Sequence, residues 1–394
     1  MAWPVFIFFI PLSNLTGFTL SLIAFLLKFK SFKFLSFAVI ASLGFLVCAS
    51  LFTPFHGMEM AILLLVRYLL LASPLFLIPY FVFFFKDTFD TSKKILQLTR
   101  SVLFGAILLS LILIGSDCRT TYGGYCFLSE RSSSIGTLCC ILLSILSLNS
   151  FLNLDKYSNG IDKFLFLFSL IFFNILGALQ GARIYYVFVI LSGLPFLLHF
   201  IFTFARSSRL NKTAFKFIVL SFVTSLILIV CFQFVPFNVE LSSLSRLISL
   251  FEPGSSDVRL SENFYLGGNI VKSVSYNNLT GNGAFSRLIN LSTTSTYDST
   301  LTLLLGDYGY VGLILISLPL FVSLRRLSST IYGKYKMIAT ASELNMISLL
   351  LIYLVGSSSN EYIVLKSVNP MFAIVFALVF YSGRTKYLSL QLSM

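Results

Sequence analysis

Charge is scarce in this chain, so each charged residue set in apolar sequence raises a chemical question. Of 394 residues, 57% are hydrophobic and 11% are charged. A charge in apolar surroundings is costly unless something pairs with it, and such residues commonly mark function. Arg67 and Asp307 each lie about two turns into an apolar run, and Asp298 marks the entrance to the run that holds Asp307. Arg183 ends the short break Gln180-Gly181-Ala182-Arg183 between two further runs. A guanidinium beside small residues is accessible, and its planar fork matches phosphate oxygens. The competing reading of Arg183 is an interfacial side chain that snorkels to water. Arg67 reads either as an internal ion-pair partner or as a second phosphate ligand. Asp298, in Thr296-Tyr297-Asp298-Ser299-Thr300, reads either as a helix N-cap or as a general base for an acceptor hydroxyl. Arg259 and Arg287 flank the middle of a long polar stretch. Two or three converging Arg would neutralise a diphosphate without a metal, whereas a single loop Arg is ordinarily solvated charge.

Other chemistries find little support. The two His (His56, His199) and six Cys form no C-x-x-C and no H-x-x-x-H pattern, which argues against haem, zinc and iron–sulfur centres. No cofactor and no metal are expected. Cys139 and Cys140 are adjacent in an apolar run and read as packing bulk. Cys118 and Cys126 share a polar stretch, where a disulfide is open only on the oxidising side of a membrane. The Leu279-Thr-Gly281-Asn-Gly283-Ala-Phe285 stretch reads as a tight glycine turn. It lacks the strand–helix setting of a nucleotide fingerprint.

These residues need a scaffold, and the composition names its class. A soluble domain is about a quarter charged, so this chain, with 44 Phe, is expected to be an all-α polytopic integral membrane protein. No basic n-region or A-x-A-like site opens the chain, so no cleaved signal peptide is expected. Apolar runs predict about 11 transmembrane helices, within a range of 10 to 12: 5–27, 34–53, 61–85, 101–116, 135–153, 164–180, 184–204, 215–235, 300–324, 337–355 and 370–383.

The net charge of +13 would suggest nucleic acid in a soluble protein. Here the connections at 28–33, 86–100, 156–163, 206–216, 325–336 and 384–386 carry nineteen of the 28 Lys and Arg. The other nine form the alternate set: Arg67, within a span, and Arg119, Arg131, Arg183, Arg246, Arg259, Lys272, Arg287 and Lys366 in connections. Positive residues accumulate on the cytoplasmic side, so the richer set is expected inside, with the N-terminus out and the C-terminus in. The charge excess then reads as topology, and no nucleic-acid partner is expected.

One connection differs from the rest. Residues 236–299 form a polar loop on the expected outer side, rich in Asn, Ser and Thr, and long loops in compact proteins are usually functional. Within it, Leu241, Leu244, Leu247, Ile248 and Phe251 have the spacing of an amphipathic helix on a membrane surface. The chain therefore divides into N-terminal transmembrane helices (1–235), a large outer loop with short helices (236–299) and C-terminal transmembrane helices (300–394). No internal repeat of the transporter kind is visible.

The order of features resembles one family. A Gly-Ala-Arg break at 181–183 precedes two spans. Arg259-Leu-Ser-Glu-Asn-Phe-Tyr265 follows in the outer loop, then the Gly281-x-Gly283 turn. Last comes Tyr297-Asp-Ser-Thr-Leu-Thr-Leu-Leu-Leu-Gly306-Asp-Tyr-Gly-Tyr-Val-Gly-Leu313. Over roughly residues 175–325 this is similar to the O-antigen polymerase and ligase superfamily of bacterial surface-polysaccharide assembly. The resemblance implies a glycosyltransferase of the inner membrane, working at its periplasmic face on sugars carried by undecaprenyl diphosphate. It implies that Arg183, Arg259 and Arg287 surround the diphosphate and sugar, with membrane lipid as surroundings, and it leaves open a chain-length regulator protein as a partner. The ligases tend to carry a His-Asn pair where Asp298-Ser299 stands here, a departure that favours the polymerase over transfer to lipid A-core. On this implied chemistry Asp298 or Glu262 is the candidate base. Tyr265, Tyr276 and Tyr297 either stack on sugar faces or belong to an interfacial aromatic belt.

Two other classes compete. A transporter or flippase of the same lipid-linked sugars would also be basic and polytopic, but should show repeat symmetry and charge through its midplane. An acyltransferase should bury a His, and neither His56 nor His199 is well placed for that.

Overall fold

The computed structural model describes residues 92–112, 133–154, 159–179, 184–207, 279, 309–315 and 341–359. It also describes 22–23, 26–27, 29–33, 36–37, 39–41, 44, 371–372, 374–376, 378–380 and 382. The expected spans 61–85 and 215–235, and the loop 236–299 apart from Leu279, lie outside the described residues.

Among the described residues every regular element is helical, so the described part of the chain is all-α. The principal helices are α1 (Ser92–Ile112), α2 (Ser133–Leu152), α3 (Gly160–Leu179), α4 (Ile184–Ser207) and α5 (Ala341–Ser359). Further helical residues fall at 309–315 and among 371–382.

The bounds of α2, α3 and α4 lie close to the apolar runs that predict them. α1 instead begins at Ser92, well before the expected 101. Lys93, Lys94 and Arg100 end an apolar run, but Lys and Arg are good helix formers and do not end a helix. α5 likewise runs through Gly356 to Ser359, because one helical Gly costs only about 1 kcal/mol. The run 300–324 departs further from expectation. Gly309 has φ 63°, a left-handed conformation open mainly to glycine, so this run is not one uninterrupted helix.

Of these helices, the stretch Gly160–Ala178 of α3 is long and apolar enough to cross a bilayer. Shorter apolar stretches occupy Ile95–Leu111, Gly136–Leu152, Tyr185–Ile201 and Ala341–Tyr353.

α2 is the hub, in contact with α1, α3, α4 and α5. Residues 136–149 are buried without a break, as befits a helix that is apolar on every side. Gly136, Thr137, Cys139, Cys140, Ser144 and Ser147 keep its girth small, which lets neighbouring backbones approach. Its serines turn inward on their own helix: Ser144 donates to the Cys140 carbonyl (2.9 Å) and Ser147 to that of Leu143 (2.8 Å). A buried hydroxyl is thus satisfied without a partner helix. Cys139 and Cys140 are fully buried, as expected of packing bulk.

α2 packs closely against α3 and also against α4. Gly177 of α3 sits where the three helices meet. A Cβ built there would lie 3.1 Å from the Tyr185 ring and 3.2 Å from the Cys140 Cβ, so a larger residue would require its neighbours to shift by a few tenths of an ångström. The outward surface is apolar. Ile161 and Phe164 on α3 are 76% and 70% exposed, and Phe104 on α1 and Ile190 on α4 are also exposed.

Candidate functional site

Four structural relationships bear on the candidate chemistry. The first joins α1 to the start of α3. Asn159 caps α3, its carbonyl accepting from the Asp162 amide (3.1 Å). The Asp162 carboxylate reaches back to the Asn159 amide (2.7 Å), the return half of a capping box. Arg100 of α1 then grips both residues. Its Nη2 donates to Asp162 Oδ2 (2.5 Å) and Asn159 Oδ1 (3.1 Å). Its Nε meets Asp162 Oδ1 (2.5 Å) as an ionic contact without hydrogen-bond alignment. Arg100 and Asp162 therefore serve structure: the carboxylate is buried and its oxygens are engaged.

The second is the α3–α4 break. α3 ends at Leu179 and α4 begins at Ile184, and residues 180–183 themselves lie outside the described residues. Both rims are fixed. Tyr185 is buried against Gly177, and its hydroxyl donates to Asn174 Oδ1 (3.4 Å).

The third links the large loop to the glycine-rich stretch that follows it. The Val311 amide donates to the Leu279 carbonyl (3.1 Å). Val311 lies in the first turn after Gly309, where amides have no partner within their own helix. Leu279, two residues before Gly281, is thereby held against the Gly309-Tyr-Val-Gly312 stretch.

The fourth is a polar cluster between α2, α5 and the helical residues near 382. Asn149 donates to Ser382 Oγ (2.6 Å). The Asn153 amide nitrogen reaches the Asn149 carbonyl (2.8 Å), Asn149 Oδ1 (3.1 Å) and Ser342 Oγ (3.0 Å). Asn345 Nδ2 reaches the same Asn149 Oδ1 (3.3 Å), and the hydroxyls of Ser342 and Ser382 lie 3.2 Å apart. Asn149, Ser342 and Asn345 are buried. Asn153 Oδ1 and Asn345 Oδ1 are buried acceptors with no hydrogen-bond partner. Nearby, Ser348 of α5 donates to the Ser192 carbonyl of α4 (2.8 Å).

Arg67, Arg183, Arg259, Glu262, Tyr265, Tyr276, Arg287, Tyr297, Asp298 and Asp307 all lie outside the described residues, as do Cys118 and Cys126. The Asn–Ser cluster is what sequence reasoning missed. Its signal is polar spacing on apolar helices. Asn149 and Asn153 stand four apart, and Ser342, Asn345 and Ser348 three apart, which places each set on one helical face.

Compared with known proteins, the chain matches no family model and no curated protein.

Proposed function

We propose that this chain is a membrane glycosyltransferase that polymerises undecaprenyl-diphosphate-linked O-antigen repeat units at the periplasmic face of the bacterial inner membrane. On this reading it has about 11 transmembrane helices, a periplasmic loop at 236–299 and a cytoplasmic C-terminus. The observation that carries it is the order of features over roughly 175–325: the Gly-Ala-Arg break, Arg259 before an aromatic run, the Gly-x-Gly turn, and Asp298 ahead of Leu305-Gly-Asp-Tyr-Gly-Tyr-Val-Gly312. Three structural features support it. The 180–183 break falls between two helices with fixed rims. Leu279 of the expected loop is tied to Val311 of the following motif. Large apolar side chains such as Ile161, Phe164 and Ile190 face outward, a surface suited to lipid.

The proposed reaction needs no metal. The lipid diphosphate departs as the leaving group, and negative charge grows on its oxygens. Arg183, Arg259, Arg287 and Arg67 offer guanidinium donors for that charge. Asp298 or Glu262 takes the proton from the acceptor hydroxyl, and Tyr265 and Tyr297 present ring faces to the sugars. Deleting the gene should leave lipid A-core capped with a single repeat unit. Complete loss of capped core would overturn the polymerase in favour of a ligase or flippase.

A transporter of the same lipid-linked sugars is the second reading. The buried Asn149–Asn153–Asn345 cluster favours it, because polar side chains between membrane helices mark transport paths. The same deletion separates the two readings, since a strain without its flippase delivers no repeat unit to the core.

A further inference from the structure

α4 is divided at Pro195. Proline has no amide hydrogen, so the Leu191 carbonyl one turn earlier lacks its helical donor. Ser192 and Gly193 stand beside it, and sharp helix kinks fall at Pro and at Gly/Ser pairs. The two halves of α4 are held differently. The half before Pro195 is anchored by Tyr185 and Phe188, both buried in the principal core with residues of α2 and α3. Of the described residues 196–201, Phe196 alone is buried, whereas Leu197, Leu198 and Ile201 are exposed. Phe196 also lies apart from the principal core. It sits in a small separate cluster with Leu148 of α2, Leu170 of α3, and Ala341 and Leu344 of α5.

A single hydroxyl clasps this division to α5. Ser348 donates to the Ser192 carbonyl (2.8 Å), and the same hydroxyl lies 3.1 Å from the Leu344 carbonyl of its own helix. A hydroxyl has one hydrogen to give. Ser348 can therefore release Ser192 and turn wholly to Leu344, as buried serines in helices do, without leaving an unsatisfied donor. We infer that α4 bends about Pro195 and that its C-terminal half is a lid. Closed, the lid is seated by Phe196 and clasped by Ser348. Open, it swings from α5, Phe196 leaves its seat, and an apolar gap appears that is lined by Leu148, Leu170, Ala341 and Leu344. The inference stands on α4 and its neighbours alone, independent of the glycosyltransferase reading.

The test measures distances between pairs of spin labels in the full-length protein in detergent. Labels go on the exposed positions Ile201 and Ile347, across the lid, and on Ile190 and Ile347 as the reference pair. Cys48, Cys118, Cys126 and Cys231 are replaced by Ser, and the fully buried Cys139 and Cys140 are kept. If that background fails to fold, ketone-bearing residues at the same positions take the labels. The Ile201–Ile347 pair should show a short and a long distance, and the Ile190–Ile347 pair one. Ser348→Ala should raise the long-to-short ratio roughly threefold, the usual worth of one hydrogen bond between membrane helices. Pro195→Ala should leave the short distance alone, and if it fails to fold, Ser348→Ala decides. One Ile201–Ile347 distance, unchanged by Ser348→Ala, would overturn the lid and leave Ser348 a purely stabilising contact. A reference pair that shifts in step with the lid pair would overturn the hinge, since α4 would then move as one rod.

Discussion

Arg100 and Asp162 form a two-pronged ion pair across 62 positions of sequence, and the carboxylate simultaneously closes the first turn of α3. One contact thus fixes both where α3 starts and how it meets α1. The Asp162 side chain is only 4% exposed, whereas Arg100 keeps 32% of its surface. Losing either partner therefore has unequal consequences.

Arg100→Ala should destabilise the protein by roughly 2–3 kcal/mol, because it strands a buried carboxylate while the lost Arg was partly wet. Asp162→Ala removes the α3 cap interaction as well. The double variant should cost clearly less than the sum of the two, since the shared term is lost once. Thermal unfolding of the four proteins of this cycle measures the difference.

Gly177→Ala should also destabilise, against the usual gain of about 1 kcal/mol when a helical Gly becomes Ala. The new Cβ would meet Tyr185 at 3.1 Å and Cys140 at 3.2 Å. Both are buried, and overpacking of this kind typically costs about 1–3 kcal/mol. Adding Tyr185→Leu should recover part of the loss, read as Tm in the same assay. A single variant more stable than wild type would show that the three helices can part at no cost.

Ser348→Ala removes a bond between helices rather than bulk. Its acceptor, the Ser192 carbonyl, is next in sequence to the Leu191 carbonyl that Pro195 leaves without a helical donor. Neighbouring Ser side chains re-satisfy backbone of this kind in membrane helices. The expected loss is about 0.6–1.7 kcal/mol, without change in helix content by circular dichroism.

The sequence was most legible where a helix is uniformly apolar. Hydropathy places α2, α3 and α4 almost to their ends. It was less legible where charge and helix part company, as at Lys93, Lys94 and Arg100, because an apolar-run reading treats a cation as an end. Gly309 was invisible for a related reason: composition does not distinguish a glycine inside a helix from one with left-handed backbone. The Asn–Ser cluster needed three dimensions. Asn149 and Asn345 are 196 positions apart, and each alone reads as an ordinary polar residue in a span. The candidate catalytic residues rest on their order in the sequence.

On the proposed mechanism, Arg183 and Arg259 are set apart from ordinary loop cations by their place in the order of motifs. Arg183→Ala and Arg259→Ala should abolish polymer formation while the protein still reaches the membrane. Lys at either position keeps the charge but loses the planar fork, so it should restore only part of the activity. The ladder of glycan lengths on lipid A-core measures this. Full-length polymer from either Ala variant removes that Arg from the site.

The proposed topology makes a separate, sharper demand on the loop. Of the nine cations in the poorer set, Arg246, Arg259, Lys272 and Arg287 fall within 236–299. A loop of that length crosses a membrane largely regardless of its charge, so its side is set by the spans around it. The short cation-rich connections at 206–216 and 325–336 lie on either side of the loop, one span away in each direction. Both are expected inside, which forces the loop outside. A reporter active only in the periplasm, fused near residue 270, should be active, and one active only in the cytoplasm should be silent at the same position. The reverse pattern would invert every orientation from 215 to 324 and move Arg259 and Asp298 away from the face where the lipid-linked donor is proposed to react.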